Sequence, residues 1–163
     1  MPLVRAGIAA VAALVALSGC GIGTRHSALD CMERAIYFEA NRSSREGMIA
    51  VGTVVMNRVE SAQYPRSVCA VVGQKNQFAS GILTRKMPHV PQVRAAAVSV
   101  MRGERHPAVR NAMFFHTYGH RFSYDNMHYV LTAGGNAFYE RRPRHLVTQP
   151  VPLPPRDRMG FGG

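Results

Sequence analysis

Residues 47–59 leave a helix almost no polar side. The run reads Gly-Met-Ile-Ala-Val-Gly-Thr-Val-Val-Met-Asn-Arg-Val. Met48, Val51, Val55 and Val59 recur at helical spacing, while Ile49, Val54 and Met56 fill the other faces. A helix this apolar has to be buried nearly all round, so the rest of the chain must be built about it. Gly47 and Gly52 weaken the helix locally and predict close packing against a neighbour. Ser43-Ser-Arg-Glu46, just ahead, reads as a capping box with Ser43 as the cap and Glu46 reaching back.

A second helix is predicted over residues 28–40. Placed about 100° apart, Ala28, Leu29, Met32, Ala35, Ile36 and Ala40 share one arc. Asp30, Glu33 and Arg34 fall outside the centre of that arc, and Glu39 falls in the middle of it. A carboxylate pressed into an apolar face costs several kcal/mol unless it is paired or protonated. Glu39 is therefore expected to have a raised pKa, as a general acid working near neutral pH requires. The competing reading is a structural Glu39 paired with a buried cation such as Arg58.

Further along, residues 61–66 read as a loop stopped by Pro65, and 67–72 as a short helix ending near Gly73. Residues 75–89 have weak periodicity and are expected to form an extended loop beside the site. Pro91 suits a first helical turn, so a helix is predicted from there to Met101, stopped by Gly103. Residues 112–117 and 129–139 read as strands, with Gly134-Gly135 as a break or bulge. From 141 to 163 charge, proline and glycine dominate, predicting a disordered tail or a surface arm. The fold class expected is α+β: helices first, then a small antiparallel sheet.

The first residues read as a leader. Arg5 supplies a positive start, residues 6–17 an apolar run, and Leu17-Ser-Gly-Cys20 a bacterial lipoprotein processing site. The run is shorter than the roughly 20 apolar residues needed to span a bilayer. The expected organisation is a signal peptide at 1–19, a lipidated tether at 20–27 beginning with Cys20, a folded domain at 28–140 and a tail at 141–163. Gly21 after the cysteine favours the outer membrane over the inner, with the protein lipid-anchored in the periplasm. An uncleaved anchor, or a chance cysteine after an ordinary signal, is the alternative.

The formal charge of +11 becomes +10 once the leader with Arg5 is removed. A nucleic-acid partner would rest on charge alone and conflicts with export. Anionic envelope polymers and lipids fit better. With Cys20 taken by lipid, Cys31 and Cys69 remain, and in an oxidising compartment two thiols read as one disulfide, free buried thiols being the other possibility. No Cys-x-x-Cys pair occurs, and Tyr118-Gly119 reads as a turn between His116 and His120, so no metal or other cofactor is predicted. Nothing in the chain sets an oligomeric state.

Several ordered blocks resemble the SleB/CwlJ-type cell wall hydrolase family. Ile36-Tyr-Phe-Glu-Ala40, Glu46-Gly-Met-Ile-Ala-Val51 and Val54-Val-Met-Asn-Arg-Val59 are similar to the opening of that domain. Tyr64-Pro-Arg-Ser-Val-Cys-Ala-Val-Val-Gly-Gln74, Asn76-Gln-Phe78, Ala112-Met-Phe-Phe-His116 and Gly134-Gly-Asn-Ala-Phe-Tyr139 continue the likeness over about residues 28–140. The resemblance implies a compact, lysozyme-like α+β domain in which Glu39 is the catalytic acid of a peptidoglycan-cutting enzyme. Four positions depart from the family: Asn41 stands where it has Arg, Ser43 where it often has a second Glu, Asn76 where it has Cys and Asn136 where it has His.

Glycoside cleavage ordinarily uses two carboxylates. Glu46 is assigned to capping, Glu60 and Glu104 lie beside loop charges, and Asp125 lies in a turn-rich stretch, so no second carboxylate stands out. A single-acid lytic transglycosylase, cutting between N-acetylmuramic acid and N-acetylglucosamine, fits this better. Tyr37 and Asn57 are candidates to orient Glu39 or line a groove. Gln77 and Phe78 are candidates to hold a sugar, and His116 and Tyr139 to face the same groove from the strands. Each of these six has a structural role as its alternative. The competing functions are an N-acetylmuramoyl amidase, which usually needs zinc, and a non-catalytic peptidoglycan-binding lipoprotein.

Overall fold

The computed structural model describes residues 26–40 and 44–155. The leader, Cys20, Asn41, Ser43 and residues 156–163 lie outside them. Four helices come first: α1 (Ala28–Glu39), α2 (Arg45–Glu60), α3 (Val68–Val72) and α4 (Pro91–Met101). Three strands follow, β1 (Phe114–Thr117), β2 (Met127–Ala133) and β3 (Asn136–Arg141), in one antiparallel sheet of order β1-β3-β2. This is the expected α+β order.

The apolar helix α2 lies in the middle. Every residue from Gly47 to Val55 is buried, and α2 packs against α1, α3, α4 and β2. Both glycines sit at contacts that admit no side chain. A Cβ on Gly47 would stand 2.4 Å from the Cα of Gly134, and one on Gly52 would stand 2.7 Å from Val100 Cγ2. The cap of α2 falls one residue later than the sequence suggested. Ser44 is the N-cap, its Oγ accepting from the Gly47 amide at 3.0 Å. Glu46 meets His106 Nε2 through Oε1 at 3.1 Å.

Helix α1 starts at the Ser27 cap, whose Oγ accepts from the Asp30 amide. Met32, Ala35 and Ile36 are buried on its inner face. Glu33 differs from its sequence placement: it is only 6% exposed, because Arg94 of α4 meets it with an N–O distance of 2.7 Å. A disulfide joins Cys31 of α1 to Cys69 of α3.

Residues 73–89 form turns rather than regular structure. They are held against α1 by Arg34, whose Nη1 donates to the carbonyls of Ile82 at 3.1 Å and Arg85 at 2.8 Å. Buried Ile82 anchors the same loop from within.

The segment expected as one strand with a break is two strands. Gly134 and Gly135 have φ of 57° and 77°, the left-handed pair of a two-residue hairpin turn, and Ala133 pairs with Asn136 across it. One sheet face carries Phe115, Phe138 and Leu131 into the main core, while Phe114, Tyr129 and Tyr139 form a separate cluster on the other. The tail through residue 155 is a surface arm along β2. The Tyr129 amide donates to the Gln149 carbonyl at 2.9 Å, and the Thr148 amide to His128 Nδ1 at 3.3 Å.

Candidate active site

Glu39 is the last residue of α1, half-buried at the floor of a cleft of about 250 Å³. The walls come from three places: Phe38 beside it, Asn76, Gln77 and Phe78 of the loop after α3, and residues 115–117 and Asn136 of the sheet. The arc that sinks Met32 and Ile36 into the core runs out at the helix end. At that end the Glu39 carboxyl opens into the cleft, while Ala40 just beyond it stays buried.

The Glu39 pKa is raised. Burial is the largest cause, opposed by a hydrogen bond from the Ala79 amide and by the charges of Arg58 and Arg85. The Ala79 amide reaches Oε1 at 2.6 Å. Among the described residues, Glu39 is the one carboxylate that no Arg or His side chain meets within 4 Å. Asp30 faces Arg34, Glu33 faces Arg94, Glu46 faces His106, Glu60 faces Arg105, Glu104 faces Arg45, Asp125 faces Arg144 and Glu140 faces Arg142. The cleft lining contains no second carboxylate among the described residues.

Arg58 is not the ion-pair partner that a structural Glu39 would require. Its Nε donates to the Met113 carbonyl at 2.8 Å. Its guanidinium lies over the rings of Phe78 at 5.1 Å, Tyr64 at 5.3 Å and Phe114 at 6.0 Å. It acts on Glu39 through its field.

Of the residues singled out from sequence, Gln77 and Phe78 line the cleft, Gln77 exposed and Phe78 half-buried. His116 borders it, but its ring is turned to the outer sheet face, with Nε2 2.9 Å from Tyr129 Oη. Three others are placed elsewhere. Asn57 holds the segment before β1, its Nδ2 donating to the carbonyls of Arg110 at 2.8 Å and Ala112 at 2.9 Å. Tyr139 is buried in the outer cluster and stacks on Phe114, because strand alternation turns it away from the cleft side. Tyr37 lies behind Phe38, their rings edge to face at 4.9 Å, and Phe38 is the one at the cleft wall.

Two cleft residues were visible in the sequence only as departures from a pattern. Asn136 Nδ2 donates to the Glu39 carbonyl at 2.6 Å. Asn76 takes a φ of 60°, a left-handed turn that Asn tolerates better than most side chains. The Ala79 amide has no sequence signal, since any residue but proline supplies it.

Among the described residues, no group of three His, Cys, Asp or Glu is placed to hold a metal ion, and no helix is long and apolar enough to cross a membrane.

The Cell Wall Hydrolase family model matches residues 42–139, more than half of the chain, starting just after Glu39. Two solved structures share the fold. The catalytic domain of the germination-specific lytic transglycosylase SleB from Bacillus anthracis aligns with a TM-score of 0.60 at 22% identity, covering 73% of this chain and 100% of that one. The catalytic domain of the Bacillus cereus SleB protein aligns with a TM-score of 0.61 at 21% identity, covering 72% and 94%. A comparison with curated proteins finds no match.

Proposed function

The chain belongs to the cell wall hydrolase family, and from that premise we propose that it cleaves peptidoglycan between N-acetylmuramic acid and N-acetylglucosamine as a lytic transglycosylase with Glu39 as acid and then base. The observation that carries this reading is the solitary carboxylate: Glu39 is half-buried, has a raised pKa and sits in a cleft lined by no other carboxylate among the described residues. One of the two structural relatives is itself named a lytic transglycosylase.

The chemistry follows from one group working twice. Protonated Glu39 gives its proton to the glycosidic oxygen as the bond to the muramic acid C1 breaks and positive charge develops there. The carboxylate left behind takes the proton of that sugar's own 6-hydroxyl, whose oxygen closes onto C1. The product is a 1,6-anhydro end, and Glu39 is protonated again. No water-activating base is required. The Ala79 amide and the field of Arg58 favour the ionised stage, while burial favours the protonated one, so neither form is trapped.

We also propose that Cys20 carries a lipid that holds the enzyme at the periplasmic face of a membrane, the outer one favoured. The leader ending Leu17-Ser-Gly-Cys20 supports this, and mass spectrometry of the mature N-terminus tests it.

Digestion of purified peptidoglycan, read by mass spectrometry, tests the reaction. Anhydro-muropeptides that disappear with Glu39→Gln are expected. Reducing-end muropeptides would show hydrolysis instead, and released stem peptides would show an amidase. Wall binding with no product from either protein would leave a binding lipoprotein.

A further inference from the structure

A second cavity, roomier than the cleft, lies between the segment after β1, strand β2 and the C-terminal arm. It measures about 410 Å³ and is lined by Tyr118, His120, Arg121 and Phe122 of the segment after β1, by Tyr129 of β2, and by residues 150–152 of the C-terminal arm. Its arm wall lies beyond the span matched by the family.

Apolar side chains gather at its mouth. Of the six large apolar side chains exposed among the described residues, three line it, Tyr118, Phe122 and Val151, and a fourth, Tyr124, stacks on Phe122. Tyr124 is 62% exposed and Phe122 42% exposed, and their rings stack at 5.7 Å with only 16° between planes. A soluble surface does not usually gather aromatic rings without something to cover them. Paired, nearly parallel rings with a polar surround suit a ligand with a flat C–H face and a rim of hydroxyls, which describes a pyranose.

This cavity and the cleft at Glu39 share no lining residue, but they come together at the end of β1. Thr117 lines the cleft and its neighbour Tyr118 lines the cavity. His116 borders the cleft while its ring meets that of Phe122 at 5.0 Å. β1 is an edge strand of the sheet, and both the cleft and the cavity are reached from its C-terminal end.

We propose that the cavity between the segment after β1 and the C-terminal arm is a second saccharide site, which holds an N-acetylated amino sugar of the same glycan strand whose bond lies at Glu39. The proposal rests on the glycan-cleaving reading above. The arm residues 150–152 make it a site that the tail completes. Phe122 and Tyr124 supply the stacking face and Arg121 a polar rim.

The test separates binding from turnover. The full chain carrying Glu39→Gln is titrated with a long, neutral N-acetylglucosamine oligomer, so that surface charge plays no part. Affinity is read by calorimetry and location by amide NMR. The amide signals of Gly119, Phe122 and Val151 are expected to shift together with those of Gln77 and Phe78. Adding Phe122→Ala and Tyr124→Ala is expected to weaken binding about threefold to tenfold. Met101→Ala, exposed at the end of α4, serves as the control and leaves affinity unchanged.

Shifts confined to the cleft, or an unchanged affinity in the aromatic variant, overturn the proposal. Binding is read without catalysis, so the two readings fail separately. A protein that responds at this cavity but yields no anhydro product keeps the site and loses the reaction. One that cuts peptidoglycan with no response at the cavity does the reverse.

Discussion

Asn136 Nδ2 donates to the main-chain carbonyl of Glu39 at 2.6 Å. The bond joins the first residue of β3 to the last residue of α1. The last carbonyls of a helix have no partner within it, so a side chain that takes one fixes where the helix ends. Here that also fixes where the Glu39 side chain leaves the backbone. Asn136 sits one residue beyond the hairpin turn and is buried, so its own position is set by the sheet.

Asn136→Ala should therefore act on chemistry more than on stability. Loss of one bond at a cleft wall costs about 1 kcal/mol of stability. Misplacement of the acid should lower kcat tenfold or more, on the order of what small positional errors cost, with KM little changed. Thermal melts and steady-state turnover of solubilised peptidoglycan check this. A larger effect on KM than on kcat would mean that Asn136 serves substrate binding instead.

Glu39→Gln should abolish turnover by about 100-fold to 10,000-fold, and it should stabilise the fold in a pH-dependent way. Burial raises the Glu39 pKa above its ordinary value of 4.5. Between that ordinary value and the raised one, the folded protein holds a proton that the unfolded chain has released. Stability then falls as pH rises through this window and stays lower above it. Gln carries no such penalty. Its melting temperature should exceed that of the parent at pH 7, and the gap should shrink as pH falls below the ordinary glutamate value. A gap that widens on acidification would reverse the sign of the Glu39 shift.

Much of the frame was legible because it rests on local rules. Pro91 and Gly103 bracket α4, and the run after Ser44 has one physical solution, a buried helix. Glu39 was legible for the same reason, as a charge on an apolar arc. The misplaced residues depend on contacts far apart in sequence. Glu33 is buried because Arg94, 61 residues on, comes to meet it. Asn57 turned to the carbonyls of Arg110 and Ala112 because α2 passes beneath them. Tyr139 was assigned to the groove without knowing the strand register, and one residue of register decides the face. Phe38 was overlooked beside Tyr37 because a wheel does not show which side a loop will cover.

Gly47→Ala tests the joint between the core helix and the hairpin. Alanine favours helix over glycine by about 1 kcal/mol, so an open site would gain stability. Here the new Cβ would meet Gly134 backbone at 2.4 Å and 2.9 Å, and backbone in a tight turn cannot move aside cheaply. A net loss of about 1–3 kcal/mol is expected in urea unfolding. Turnover should fall as well, because Asn136 lies just beyond the turn that is pushed. An unchanged or raised stability would show that the hairpin yields.

Reduction of the Cys31–Cys69 disulfide should separate stability from activity. It closes a stretch of 38 residues between α1 and α3, and its loss is expected to cost about 2–5 kcal/mol. The loop that carries Ala79 is tied to α1 by Arg34, independently of the sulfurs. Reduced protein kept well below its new melting temperature should therefore retain its kcat. A proportional loss of kcat on reduction would place the disulfide in the geometry of the cleft.

Arg58 offers the sharpest test of how Glu39 is tuned. It is 3% exposed, and burial lowers its own pKa, yet it remains a cation enclosed by aromatic rings. Its Nη1 has no hydrogen-bond partner among the described residues, and its charge reaches Glu39 through space. Burial raises the Glu39 pKa, and Arg58 works against that rise. In Arg58→Met the opposition is removed and the Glu39 pKa should climb further. The acid must begin protonated, so the alkaline limb of the pH–rate profile should move to higher pH. Arg85 also opposes the rise, but it is exposed and water screens it, so Arg85→Met should move the limb less. A limb that shifts to lower pH in Arg58→Met, or shifts more in Arg85→Met, would show that Arg58 is not the charge that sets the acid.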